Sequence, residues 1–174
     1  MEKPLIHVYT GDGKGKTTSA FGLAARCAGN GYQVKIIQFL KTDDTGELKF
    51  FKSADNLFLY RFETHHGFTC DMNEEELKTL ENQCDKAMRF ALMIAQDSDC
   101  DMLVLDEIIC AYNCGLVSEE KIKELIDSVN LCELVFTGRN APEWLIENAD
   151  YVTEMNMIKH PYERSVPARK GIEF

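Results

Sequence analysis

The stretch VYTGDGKGKTT at residues 8–18 leaves few folds open to the chain. It begins as an apolar, β-branched run and passes through Gly11, Gly13 and Gly15 into Lys16-Thr17-Thr18 and a segment of helical period. Glycines accept backbone turns that side chains resist, so successive N–H groups can face an anion. A helix starting at this point turns the positive end of its dipole to the same place. Lys16 supplies a point charge for phosphate oxygens, Lys14 a second cation, and Thr17 a hydroxyl suited to magnesium. A glycine-rich turn without a ligand is the plainer alternative, and Gly15-Lys16-Thr17-Thr18 at the helix start speaks against it. The stretch departs from G-x-x-x-x-G-K-[ST] at one position, where Thr10 stands for the first glycine.

Strand-like runs recur between segments of helical period. Residues 5–9, 33–40, 57–62, 101–106, 132–138 and 149–155 read as strands. Helices are expected from Lys16 to the Gly29-Asn30-Gly31 stop, over 73–96 with Asn73 as cap, over 118–129 with a capping Ser118, and over 141–149. On the second of these, Leu77, Leu80, Cys84, Met88 and Leu92 form one apolar stripe that reads as core. Strands alternating with helices predict an α/β chain with a mostly parallel sheet covered on both faces. Residues 41–56, 63–72 and the tail from about 156 are the longest irregular pieces.

The 174 residues fit one domain, 1–174, with 45% hydrophobic and 28% charged residues. A formal net charge of −10 excludes general affinity for a nucleic-acid backbone, which needs a basic face. No run approaches the roughly 18 apolar residues of a membrane helix. The chain enters its first strand almost at once, without an apolar signal segment, so a cytoplasmic location is expected. In a reducing compartment its seven cysteines read mostly as small buried apolar residues. Cys110 and Cys114 lie four apart, and two ligands do not make a structural zinc site.

Two further segments belong with the loop. LVLDEI at 103–108 ends an apolar strand in Asp106-Glu107, carboxylates that can meet magnesium directly or through water, or simply open a helix. VFTGRNAP at 135–142 ends the next strand, and its Arg139 is either a phosphate contact or a surface arginine.

Taken in order with IIQFLK, the Gly46-Glu47 pair, HGFT at 66–69 and the ending KHPYERSVPARKGIEF, these segments resemble the P-loop type ATP:corrinoid adenosyltransferases over nearly the whole chain. In that family Thr10 is the ordinary residue. The resemblance implies a P-loop NTPase-like, RecA-like domain that binds ATP with Mg2+ or Mn2+, and a corrinoid as second substrate. Co(I) attacks the 5′ carbon of the ribose, a cobalt–carbon bond forms, and triphosphate leaves. The chain shows no Ser-His-Asp or Cys-His arrangement, and this chemistry asks for no protein nucleophile.

Position by position, the resemblance makes Gly11, Asp12, Gly13, Lys14, Gly15, Lys16, Thr17 and Thr18 the triphosphate loop. It sets Arg26 on the nucleotide side, though a helix-surface arginine is the alternative. Gln38 and Lys41 fall at a strand end facing the site, Arg139 near the phosphates, and Thr17, Glu107 and Asp106 at the metal, with Thr17 and Glu107 preferred. Lys14 and Lys16 would stabilise the departing charge, and Phe68 would meet the lower face of the corrin. Cys70 stands where the family has tryptophan, and Cys70, His65 and His66 read as loop residues rather than cobalt ligands. By the same resemblance, the helical extension that some relatives carry ahead of the first strand is expected to be missing here. A reduced flavoprotein donor and a homodimer are expected from the family. The rival readings are a P-loop ATPase or kinase with another acceptor, and a non-catalytic ATP- or corrinoid-binding sensor.

Overall fold

Six short strands lie side by side in one sheet in the computed structural model, which describes residues 4–41, 46–51, 54–62 and 72–172. They are β1 (Ile6–Thr10), β2 (Val34–Gln38), β3 (Leu57–Arg61), β4 (Met102–Asp106), β5 (Glu133–Thr137) and β6 (Tyr151–Glu154). Their order is β3-β2-β4-β5-β1-β6, and every neighbouring pair is parallel. The sheet is thus all-parallel, where a mostly parallel one was expected. Parallel pairing brings the carboxyl ends of β1, β2, β4 and β5 to one edge, so the three chemistry-bearing segments of the sequence end side by side.

The inner strands β2, β4 and β5 are apolar because both of their faces are covered, whereas the edge strand β6 is exposed along its length. Successive side chains point to opposite faces, so Ile36, Val104 and Val135 pack against Ala20, Phe21 and Ala24 of helix α1 (Lys16–Gly29). Ile37, Leu103, Leu105 and Phe136 face the other way, onto α3 (Glu74–Asp97) and α5 (Glu119–Ser128). Each fully buried side chain of this kind contributes about 1.5–3 kcal/mol of transfer free energy. The stripe of α3 runs through Leu80, Cys84, Ala87, Met88, Ala91, Ile94 and Ala95, while Leu77 at its N-terminal end is exposed. Asn73 caps this helix through a full capping box, its side chain accepting from Glu75 and Glu76 while Glu76 returns to the Asn73 N–H. Ser118 stands at the N-cap of α5 without making a side-chain cap bond, contrary to expectation.

Two helices were not assigned from the sequence: α2 (Gly46–Phe51), inside a stretch read as irregular, and α4 (Ile108–Asn113), directly after β4, where a helix start at Asp106-Glu107 stood only as the alternative. Each has six residues, too short for periodicity to stand out. The last helix, α6 (Glu143–Asn148), leads into the edge strand β6, and a 3-10 turn at Pro161–Arg164 interrupts the tail.

Candidate active site

The phosphate loop joins β1 to α1 and is braced by the chain that leaves the adjoining edge strand, β6. The Met155 N–H donates to the Thr10 carbonyl at 2.8 Å, and the Gly13 N–H donates to the Met155 carbonyl at 2.6 Å. A Cβ at Gly13 would lie 2.6 Å from that carbonyl oxygen and 2.8 Å from its carbon, so backbone crowding excludes a side chain there. Glycine at this position answers the approach of the chain that follows β6. The Thr10 side chain makes a separate tie, its hydroxyl accepting the Ala141 N–H at 3.1 Å and fastening the loop to the segment after β5.

Lys16 folds back along the loop and donates to the carbonyls of Gly11 at 2.6 Å and Gly13 at 2.8 Å. Burial pushes the pKa of its ammonium down, with the nearby Glu107 carboxylate opposing. Thr17, one residue on, donates its hydroxyl proton to Oδ1 of Asp106 at 2.9 Å.

Asp106 is the hub of the site. It ends β4 with no exposed surface, and each carboxylate oxygen accepts two hydrogen bonds. Oδ1 takes the hydroxyls of Thr17 and Thr137, the latter at 2.7 Å, and Oδ2 takes Nε2 of Gln38 and Nζ of Lys41, both at 2.8 Å. Burial alone would raise its pKa. The Lys41 charge, with the hydrogen bonds from Lys41, Gln38 and Thr137, overturns that and holds the carboxyl below its ordinary range. Gln38 is held in turn, its side-chain oxygen accepting from Nε and Nη2 of Arg61 at 2.9 and 2.6 Å. Strands β3, β2, β4 and β5 therefore meet in one buried polar chain.

Glu107 follows in the left-handed conformation, φ 63°, at the start of α4, and its N–H donates to Oγ1 of Thr137 at 2.9 Å. That turn sends Asp106 under the sheet edge and carries Glu107 to the cleft. Thr137 thereby fixes both acids, yet nothing singled it out in the sequence. Its signal was position alone, as the residue before Gly138-Arg139 on the strand between β1 and β4.

A cleft of about 660 Å³ opens over the loop. Residues 12–18, Lys41, Glu107 and Arg139 line it, all of them grouped in the sequence reading, whereas Gly11, grouped with them there, is not among the lining residues and offers its carbonyl to Lys16. Asp12 and Arg139 face each other across it at 4.0 Å. Gln38 and Asp106 sit behind this wall, fully buried. Arg26 stands in the last turn of α1 and exposed, ten residues and about 15 Å of helix beyond Lys16, and is not among the lining residues. Phe68, with His65, His66 and Cys70, lies outside the described residues. Unforeseen are Phe50 and Phe51 of α2, and His160, Gly171 and Ile172 of the tail. Cys110 is a packing residue whose thiol is pushed up to about 12, first by burial and then by Glu107, and whose sulfur accepts the Arg139 N–H.

The family described as ATP:corrinoid adenosyltransferase BtuR/CobO/CobP matches residues 2–174. A corrinoid adenosyltransferase of Pseudomonas aeruginosa is 34% identical over 175 residues, 99% of this chain and 85% of the relative. One of Escherichia coli K12 is 35% identical over 176 residues, covering 99% and 87%. The corrinoid adenosyltransferase CobA of Salmonella typhimurium is 34% identical with the same coverage. With the phosphate loop, the buried Asp106 and the Arg139 segment converging on one cleft, and a family match running from residue 2 to the last residue, the chain belongs to the ATP:corrinoid adenosyltransferases.

Proposed function

We propose that this protein transfers the 5′-deoxyadenosyl group of ATP to the Co(I) centre of a corrinoid and releases triphosphate. The observation that carries the reading is the concentration of cations on one cleft: Lys14, Lys16, Lys41 and Arg139 line it together with the loop. In the transfer, cobalt gives an electron pair to the 5′ carbon, the carbon–oxygen bond breaks, and that bond's pair departs with the triphosphate. The negative charge thus grows on the leaving group, where preorganised cations and N–H groups stabilise it without reorganising. The protein's other contribution is to hold the ribose in line with the cobalt.

Magnesium fits the donor set. The Thr17 hydroxyl directs its proton to Asp106 and accepts from Nζ of Lys41 at 3.4 Å, which leaves one oxygen lone pair for a cation, and the Glu107 carboxylate lines the same cleft. Asp106, with both oxygens doubly hydrogen-bonded, serves from behind by orienting Thr17. When bound, the ion neutralises charge on the phosphate oxygens. Phe68 is the proposed contact to the corrin face, a reduced flavoprotein the proposed source of the electron that makes Co(I), and a cytoplasmic homodimer the proposed state.

The test mixes the protein with MgATP and chemically reduced cobalamin, following the visible spectrum for adenosylcobalamin and the solution for triphosphate. Both products are expected, and Lys16→Ala is expected to lose them. Orthophosphate with ADP and no adenosylated product would instead mark an ATPase or kinase, and binding without turnover a sensor.

A further inference from the structure

The ending K-H-P…G-I is unusual in that its two halves lie eleven residues apart yet return to one place. His160 lines the cleft over the phosphate loop, and so do Gly171 and Ile172. Between them the chain runs outward through the 3-10 turn at Pro161–Arg164, with its side chains exposed, and comes back. Its outgoing end is pinned where the Gly13 N–H meets the Met155 carbonyl at 2.6 Å. Its returning end is pinned where Nζ of Lys14 donates to the Ile172 carbonyl at 3.1 Å. Residues 156–172 thus form a strap with both ends on the phosphate loop.

The residue types have physical reasons. A proline disfavours helical backbone in the residue before it, and His160 is extended, φ −135° and ψ 138°, ahead of Pro161. Its Nδ1 accepts the Tyr162 N–H at 3.2 Å. A neutral imidazole whose Nδ1 accepts carries its proton on Nε2. The second ring nitrogen is therefore a donor, on a residue that lines the same cleft as Lys14, Lys16, Lys41 and Arg139. Gly171, at φ +78°, makes the turn that returns the strap and lets Ile172 offer its carbonyl to Lys14.

We propose that His160 is a polyphosphate-binding residue, its Nε2–H donating to an oxygen of the ATP triphosphate chain, and that the strap 156–172 is the wall that brings it there. The inference rests on the reading of this cleft as the ATP site.

The test is calorimetric titration of the full chain with MgATP and, separately, with inorganic tripolyphosphate. The proteins are the wild type, His160→Ala, His160→Asn and Lys16→Ala. Asparagine keeps a side-chain oxygen to cap the Tyr162 N–H, while removing the Nε2 donor. A hydrogen bond to a charged acceptor makes a loss of roughly tenfold in affinity the expected result for both His160 variants and both ligands. Wild-type affinity in His160→Asn would reduce the histidine to a cap and overturn the proposal. Weakened ATP binding with intact tripolyphosphate binding would overturn it too, by moving the donor to the nucleoside. Lys16→Ala separates the two levels. If Lys16→Ala loses ATP while the His160 variants keep it, this inference alone fails; if Lys16→Ala keeps ATP, the reading of the cleft fails.

Discussion

The carbonyl of Met155 accepts the N–H of Gly13 at 2.6 Å, so the chain leaving the edge strand β6 braces the phosphate loop leaving β1. One amide of the loop is therefore bonded to the protein itself, and the loop holds its shape through residues about 140 positions away in sequence.

Gly13→Ala tests that brace. The added Cβ meets backbone atoms of Met155 and Asn156 at 2.6–2.9 Å, none of which can swing aside as a side chain would. The expected result is a loss of about 1–3 kcal/mol in stability, with a raised KM for ATP. A variant with wild-type melting temperature and KM would show that the brace yields freely.

Thr10→Gly restores the general phosphate-loop pattern and should make the protein worse. It removes the hydroxyl that accepts the Ala141 N–H and adds backbone freedom to the unfolded chain. Each effect is worth about 1 kcal/mol. Denaturant titration is expected to show a fall of about 1–2 kcal/mol with an unchanged m-value.

Thr137→Val keeps the shape of the side chain and removes its hydroxyl. Asp106 then loses one of its four donors and the Glu107 N–H loses its acceptor. A destabilisation of about 1–3 kcal/mol is expected. Misplacement of Glu107 should appear as a weaker response of activity to magnesium, read by titrating the metal at saturating ATP.

Asp106 sets an acid limit. Its folded-state pKa lies below the ordinary 3.8, so its contribution to stability is present above that value and lost as pH falls through the folded pKa. Wild-type stability should therefore carry this contribution unchanged from neutral pH down to the ordinary carboxylate range and shed it only below. Asp106→Asn removes the charge that faces Lys41 and should cost about 3 kcal/mol at neutral pH, while flattening the acid limb of the melting curve. An unchanged acid limb would assign that limb to other carboxylates.

Much of this was legible in the order of residues. Glycine, lysine and threonine spacing announces a phosphate loop because backbone turns, charge and hydroxyl must fall within one turn of chain. Alternation of apolar runs with helical period announces a parallel sheet, and parallel strands end on one edge, so Asp106, Glu107 and Arg139 were found as strand-end residues. The short helices α2 and α4 escaped because six residues make fewer than two turns, too few for a helical period to show. Arg26 was grouped with the nucleotide by resemblance, and helix rise sets it apart in the structure.

By itself, then, the sequence determined the strand-loop-helix that takes phosphate, the alternation that makes an α/β sheet, and membership of a family whose residues recur along the chain. Only the tertiary structure decided which partner each polar group has. Strand order placed β5 between β1 and β4 and so made Thr137 the link between the acids. It also brought the chain after β6 onto Gly13, and the tail with His160 and Ile172 back to the cleft. The physical reason is that spacing along the chain governs local conformation, whereas hydrogen bonds between distant residues depend on how strands are ordered across a sheet, which no local pattern encodes.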